Sequence, residues 1–316
     1  MRVLVTGADG FVGRHLVRRL LVGGDQVAAA CRPGGSPVDW GRGAPAGARV
    51  EVVPLELTAD DSVAAALAWR PEAIVHLAAV ASGRDARLDP GTAWEINAAG
   101  TARLVAAAAL REAGQADPAV LLVSTGEVYG AGPAAPRVET DPLLPVSPYA
   151  ASKVGAEAAA LEAWRRTALR VIVARPFPHT GAGQSPTYVV PAFARRLRDA
   201  RATGARTVRT GNLAPVRDLL DVRDVVEAYC ALLARGVAGE SYNIARGKGI
   251  ALAEVFARLA ALTGTNAVPE PDPSLVRSAD IPHLVGDSTK LRRATGWTPS
   301  ISLEQLLRDL VDAQAD

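Results

Sequence analysis

The stretch Arg2 to Gly13, RVLVTGADGFVG, governs how the rest of the chain is read. Arg2 to Val5 is a short run rich in valine, suited to a buried strand, and Phe11 to Val22 has the apolar spacing of an amphipathic helix. Between them stands Gly7-x-x-Gly10-x-x-Gly13. Glycines at such a junction let the chain turn tightly, let its backbone approach a pyrophosphate, and let helix and strand pack closely. The helix N-terminus, at Phe11 and Val12, then offers N–H groups to the anion.

Outward from this unit the first half alternates apolar runs with amphipathic or alanine-rich stretches, the rhythm of a parallel sheet covered by helices. Strands are expected at Arg2 to Val5, Gln26 to Ala30, Arg49 to Pro54, Ala73 to Leu77, Ala119 to Ser124, Arg170 to Ala174 and Ser241 to Ile244. Helices are expected at Phe11 to Val22, Asp60 to Trp69, Thr92 to Ala113, Tyr149 to Thr167 and Val222 to Ala234. After residue 175 the rhythm gives way to Pro- and Gly-rich loops, with helices near Pro191 to Ala202, Leu252 to Thr263, Thr289 to Thr295 and Leu303 to Ala313. The expected fold is α/β, a Rossmann-type doubly wound parallel sheet (residues 1–174 plus 218–247) with a smaller C-terminal substrate-binding lobe (175–217 plus 248–316).

Composition narrows the function classes. The 316 residues carry 35 basic and 33 acidic side chains, net +2, with no basic block, so neither nucleic acid nor an anionic membrane is an expected partner. No leader segment or membrane-length apolar run is seen, which points to the cytoplasm. Cys31 and Cys230 stand far apart with no ligand-spaced His or Cys, so no disulfide framework and no metal site is expected. Among the basic residues 32 are Arg and only three are Lys, at 153, 248 and 290, which makes each lysine informative.

Four places carry the chemistry. The second strand ends Ala30-Cys31-Arg32, placing a guanidinium where an acid would receive the adenosine ribose hydroxyls; this favours NADP(H), with NAD(H) the alternative. Glu56-Leu57 closes the third strand, where the carboxylate either reaches the adenine amino group or is an ordinary loop acid. Tyr149-x-x-x-Lys153 opens a helix after Ser147-Pro148, and residues four apart share a helical face. The ammonium is thus expected beside the phenol, lowering its pKa from about 10 so that it can exchange a proton with a carbinol oxygen. Upstream, STGEVYG puts Ser124, Thr125 and Glu127 at the carboxyl end of a strand, where open α/β sheets bind ligands. Thr125 can hydrogen-bond a substrate oxygen, and Glu127 is either a general base or a loop acid.

Taken together, TGADGFVG, HLAA at His76 to Ala79, Asn97 in INAAGT, STGEVYG, SPYAASK and Arg175-Pro176 resemble the extended short-chain dehydrogenase/reductase family of nucleotide-sugar epimerases, dehydratases and reductases. Within it, RPFPHTGAGQSPTYVVPAFARRL, RTGNLAPVRDLLDVRDVVEAY and GDSTKLRRATGWTPSISL are most similar to the GDP-4-dehydro-6-deoxy-D-mannose reductase branch. The resemblance implies reduction of the C4 ketone of a nucleotide-diphosphate 4-keto-6-deoxyhexose, with Tyr149 as the acid, Thr125 on the same oxygen and Lys153 on the nicotinamide ribose. It implies that Leu77, Ala78, Ala79 and Pro176 line the cofactor, with Asn97 a polar group embedded in its helix, and that His179, Arg217 and Arg277 hold the substrate. The alternatives are a 4-epimerase with tightly bound NAD, a 4,6-dehydratase, and a non-catalytic cofactor-sensing protein. Two departures stand out: Pro178 replaces the usual asparagine, and Gly126-Glu127 replaces the Asp-Glu of dTDP-sugar dehydratases. The resemblance also implies a homodimer through helices 92–113 and 149–167, whose alanine-rich faces permit close packing; alanines that pack only on their own sheet are the alternative.

Overall fold

The computed structural model of the chain describes residues 1–35, 38–40, 47–110, 118–276 and 280–313. Six strands, β1 (Arg2–Thr6), β2 (Gln26–Cys31), β3 (Val50–Pro54), β4 (Ala73–His76), β5 (Ala119–Val123) and β6 (Val171–Pro176), join a seventh, Ser241–Ile244, in one sheet. All pairings are parallel, in the order Ser241–Ile244, β6, β5, β4, β1, β2, β3. The doubly wound sheet expected from the sequence is therefore present. Side chains alternate across it: Val3 and Val5 of β1 join the core on one face, Leu4 that on the other. Strands β4, β5 and β6 are buried throughout, whereas β3, at the edge, is largely exposed.

One face is covered by the helices Phe11–Val22 and Val222–Arg235, through Leu16, Leu20, Val225 and Leu232. The other carries Asp60–Leu67, Gly100–Ala109 and Pro148–Thr167. Ala156, Ala160 and Ala163 of the last helix are fully buried there, because a methyl-sized side chain lets the helix lie close to the sheet. Part of the alanine-rich face considered for a partner thus packs on the chain's own sheet. A third apolar cluster lies among the helices Val189–Thr203, Leu252–Thr263 and Leu303–Asp312, centred on Phe193 and Phe256, whose rings meet edge to face at 5.4 Å.

The helix expected at 92–113 differs in detail. It starts at Pro90, where the Asp89 carboxylate accepts from the Thr92 N–H at 3.0 Å, opens into a π-helical turn at Glu95–Ala99, and resumes as Gly100–Ala109. Residues 111–113 lie outside the described residues. The helix expected from Pro191 begins at Val189, since proline fits a first turn whose N–H groups have no intrahelical acceptor. Short strands at Val216–Asp218, Gly249–Ala251 and His283–Leu284 form a small sheet that no sequence period announces.

Candidate active site

The carboxyl ends of the central strands and the glycine turn border a cavity of about 900 Å³. It opens between β1 and β4, where the chain order of the sheet reverses, the usual ligand position of open α/β sheets. The glycines here have no room for side chains. Gly7 has φ 65°, and a Cβ on it would lie 2.9 Å from the Ala78 backbone. A Cβ on Gly13 would lie 2.3 Å from the Gly7 carbonyl oxygen. On the wall, the Thr180 hydroxyl is buried and has no hydrogen-bond partner among the described residues. A bare backbone cradle, a helix N-terminus and an orphaned hydroxyl in one cavity suit a dinucleotide.

The proposed catalytic residues meet at the end of β5. Tyr149, Lys153, Thr125 and Glu127 all line the cavity. Ser147 caps the Pro148–Thr167 helix by accepting from the Ala150 N–H at 3.1 Å, which fixes Tyr149 in the first turn. Thr125 Oγ1 accepts from the Glu127 N–H at 3.2 Å, and the same hydroxyl is within hydrogen-bond reach of the Tyr149 oxygen. The Lys153 ammonium donates to the Val123 carbonyl at 2.7 Å. The electrostatics depart from the expected lowering of the phenol pKa. Burial, reinforced by the facing Glu127 carboxylate, raises Tyr149 above its ordinary value, with Thr125 only partly opposing it. Burial likewise brings Lys153 down to about 8. The lysine spends its ammonium on the strand carbonyl, and desolvation outweighs the charge it brings to the helix face.

The model of the NAD dependent epimerase/dehydratase family matches residues 3–245. The chain belongs to that family. GDP-6-deoxy-D-mannose reductase of Pseudomonas aeruginosa is 34% identical over 317 residues, covering 98% of this chain and 96% of that protein. The structure of RMD from Pseudomonas aeruginosa complexed with NADPH aligns with a TM-score of 0.83 at 31% identity, covering 99% of this chain and 98% of the other. The UDP-glucose 4-epimerase of Thermus thermophilus in complex with NAD aligns with a TM-score of 0.86 at 30% identity, covering 99% and 98%. The resemblance carried by the motifs is borne out, and membership brings with it a nicotinamide dinucleotide as the cofactor class.

Arg32, Glu56, Leu57, Leu77, Ala78, Ala79, Pro176, His179 and Arg217 line the cavity, as do Gly7, Gly10, Phe11, Val12 and Gly13. Arg32 is exposed. Glu56 spends one carboxylate oxygen on the Thr58 hydroxyl at 3.1 Å. His179 donates from Nδ1 to the Phe177 carbonyl at 3.0 Å, and burial lowers its pKa. Arg217 is engaged by the protein: its guanidinium donates to Asp280 at 2.6 Å and to the Val216 and Ile281 carbonyls. Pro178 also lines the cavity, and its carbonyl accepts from the Leu220 N–H at 3.0 Å. Arg277 lies outside the described residues.

Asn97 is not on the cavity wall but behind it. Its carboxamide accepts from the Val80 N–H at 2.7 Å and donates to the Val80 carbonyl and to the Ser152 hydroxyl, which in turn donates to the Tyr149 carbonyl at 2.8 Å. Beside it, His76 is fully buried between Thr6 and Thr101, its pKa brought down to about 3 by desolvation. Sequence reasoning did not single out Asp9, Thr180, Gln184 or Tyr188, which also line the cavity. Asp9 stands inside the glycine spacing and could have been noticed there; Tyr188 has no local signal.

Proposed function

We propose that the chain is an NADPH-using 4-ketoreductase of a nucleotide-diphosphate 4-keto-6-deoxyhexose, close in activity to GDP-4-dehydro-6-deoxy-D-mannose reduction. The observation that carries this reading is the geometry of the cavity wall, where Tyr149 stands in the capped first turn of its helix with Lys153 one turn on and the Thr125 hydroxyl beside its oxygen. A phenol that keeps its proton is suited to give it to a ketone oxygen, the direction a reductase needs. Similarity across nearly the full length of GDP-6-deoxy-D-mannose reductase supports the substrate class. The nicotinamide coenzyme supplies the hydride when bound.

In this reading Gly7, Gly10 and Gly13 with the Phe11 and Val12 N–H groups hold the pyrophosphate, and Arg32 favours the 2′-phosphate of NADPH. Leu77, Ala78, Ala79 and Pro176 flank the coenzyme, Glu56 and Leu57 close the adenine end, and Asn97 holds the wall from behind. Lys153 steadies the nicotinamide ribose, while His179, Arg217 and Arg277 serve the sugar nucleotide in the lobe of residues 175–217 and 248–316. Arg217 must then share its guanidinium between Asp280 and the diphosphate. Glu127, beside Tyr149, is the residue through which a dehydratase-like proton abstraction would run. The enzyme is proposed to be cytoplasmic and homodimeric, through the helical segments 90–109 and 148–167, where Trp94 remains 46% exposed. Light scattering that finds a monomer overturns the dimer.

The decisive experiment mixes the protein with NADPH, then NADH, and GDP-4-dehydro-6-deoxy-D-mannose generated in situ. Stoichiometric nicotinamide oxidation is expected, lost by roughly a hundredfold or more in Tyr149→Phe, the range of general acid catalysis. No oxidation, with NAD retained by the protein as isolated, favours instead a 4-epimerase, the second reading, which the alignment with UDP-glucose 4-epimerase supports.

A further inference from the structure

Behind the wall, one helical turn beyond Lys153, Glu157 is almost completely buried, and no step of the proposed reaction uses it. It is held from two strands. The Ser124 hydroxyl, at the end of β5, donates to Oε1; Arg175, on β6, donates from Nη2 to Oε2 at 2.6 Å and from Nε to Oε1 at 3.0 Å. Arg175 is fixed in turn, donating from Nη1 to the Tyr129 hydroxyl at 2.9 Å, and that hydroxyl donates to Asn243 at 2.7 Å. Lys153 is clamped to the same strand end, on the carbonyl of the residue before Ser124. Strand and helix are therefore cross-linked twice, once by the ammonium and once by the carboxylate.

We propose that Glu157 is a positioning residue for Lys153: locked by Ser124 and Arg175, it keeps a fixed negative charge one helical turn from the ammonium and so holds the lysine charged where it meets the cavity. The inference rests on the reading of Lys153 as a working residue of the proposed site. The surroundings of Lys153 leave few other charges to do this. On its own helix stand Tyr149, which holds its proton, and Glu157; from β4 comes His76, kept neutral; from the end of β5 come the Val123 carbonyl and Ser124; from the turn after it comes Glu127, whose carboxylate faces Tyr149; from β6 comes Arg175, turned onto Glu157. Glu157 is the group that opposes desolvation of the lysine. A buried ion pair is weak evidence for stability in itself, since apolar residues of similar volume often replace one without loss. Support of a second buried charge gives this pair a role that an apolar replacement would lack.

The test reads the lysine directly and needs neither substrate nor coenzyme. Lys153, Lys248 and Lys290 are the three lysines of the chain, so competitive acetylation with acetic anhydride across pH 6 to 10, followed by peptide mass spectrometry, gives a separate titration for each. Glu157→Gln is expected to lower the titration midpoint of Lys153 by about one unit or more and to leave exposed Lys248 unmoved, whereas Glu157→Asp, which keeps the charge, stays near wild type. Because Glu157→Gln strands a buried guanidinium, the same titration is read in Glu157→Gln/Arg175→Met, which removes both charges. An unchanged Lys153 midpoint in either folded variant overturns the proposal. A purely structural role would lower the melting temperature and leave that midpoint in place. Failure of the ketoreductase assay with the shift intact would reject the reaction and retain the positioning role.

Discussion

Tyr149 and Lys153 share a helical face, yet burial moves their proton affinities in opposite directions, the phenol upward and the ammonium down to about 8. If the reaction requires a charged lysine, the rate is full well below pH 8 and falls as pH rises through about 8. A pH profile of kcat/KM is expected to show that alkaline limb, with the limb moving to lower pH in Glu157→Gln. Arg32 makes a second prediction. An exposed guanidinium beside the 2′-phosphate would contribute one charged hydrogen bond, about 1.5 to 3 kcal/mol. Arg32→Ala should therefore weaken NADPH binding roughly ten- to hundredfold and leave NADH binding nearly unchanged, as measured by coenzyme fluorescence. Asp9, on the same cavity wall, would oppose a 2′-phosphate bound there with its carboxylate. These two residues were unequally legible: Arg32 follows a strand whose end is plain in the sequence, whereas Asp9 is hidden among glycines read for their backbone.

At the scale of elements, strands were legible because a buried parallel strand reads as a continuous apolar run, and helices because of their spacing and caps. The π turn at Glu95–Ala99 was not, since EINAA is compatible with an ordinary helix. That turn holds Asn97 where its amide reaches both Val80, on the loop beside the cavity, and Ser152, on the Tyr149 helix. Asn97→Ala removes three hydrogen bonds from a buried site, two of them to backbone groups. The expected cost is about 2 to 4 kcal/mol, read as a lower denaturant midpoint. Arg217 illustrates the other limit: its partner Asp280 is remote in sequence, and no spacing rule connects them.

For the whole molecule, the buried polar groups set the response to acid. His76 is held neutral with its pKa near 3, against 6.5 in an unfolded chain, so the unfolded state binds the extra proton between those values. The stability it contributes is complete above pH 6.5 and declines as pH falls toward 3. Asp218, raised to about 6 by burial, acts in the opposite sense between pH 3.8 and 6. Comparing Tm against pH for the wild type and His76→Gln, whose amide can serve both Thr6 and Thr101, isolates the histidine; the variant is expected to lose less stability between pH 6.5 and 4. The sheet order has a consequence for biosynthesis. A nascent chain that has emerged as far as Pro176 contains six strands and both Tyr149 and Lys153, yet β6 still has one side without a neighbour. Only when Ser241–Ile244 leaves the ribosome is that edge closed. During the interval the growing chain displays an apolar strand open to pairing with another chain, and the stretch of synthesis between these two points is where folding assistance matters most.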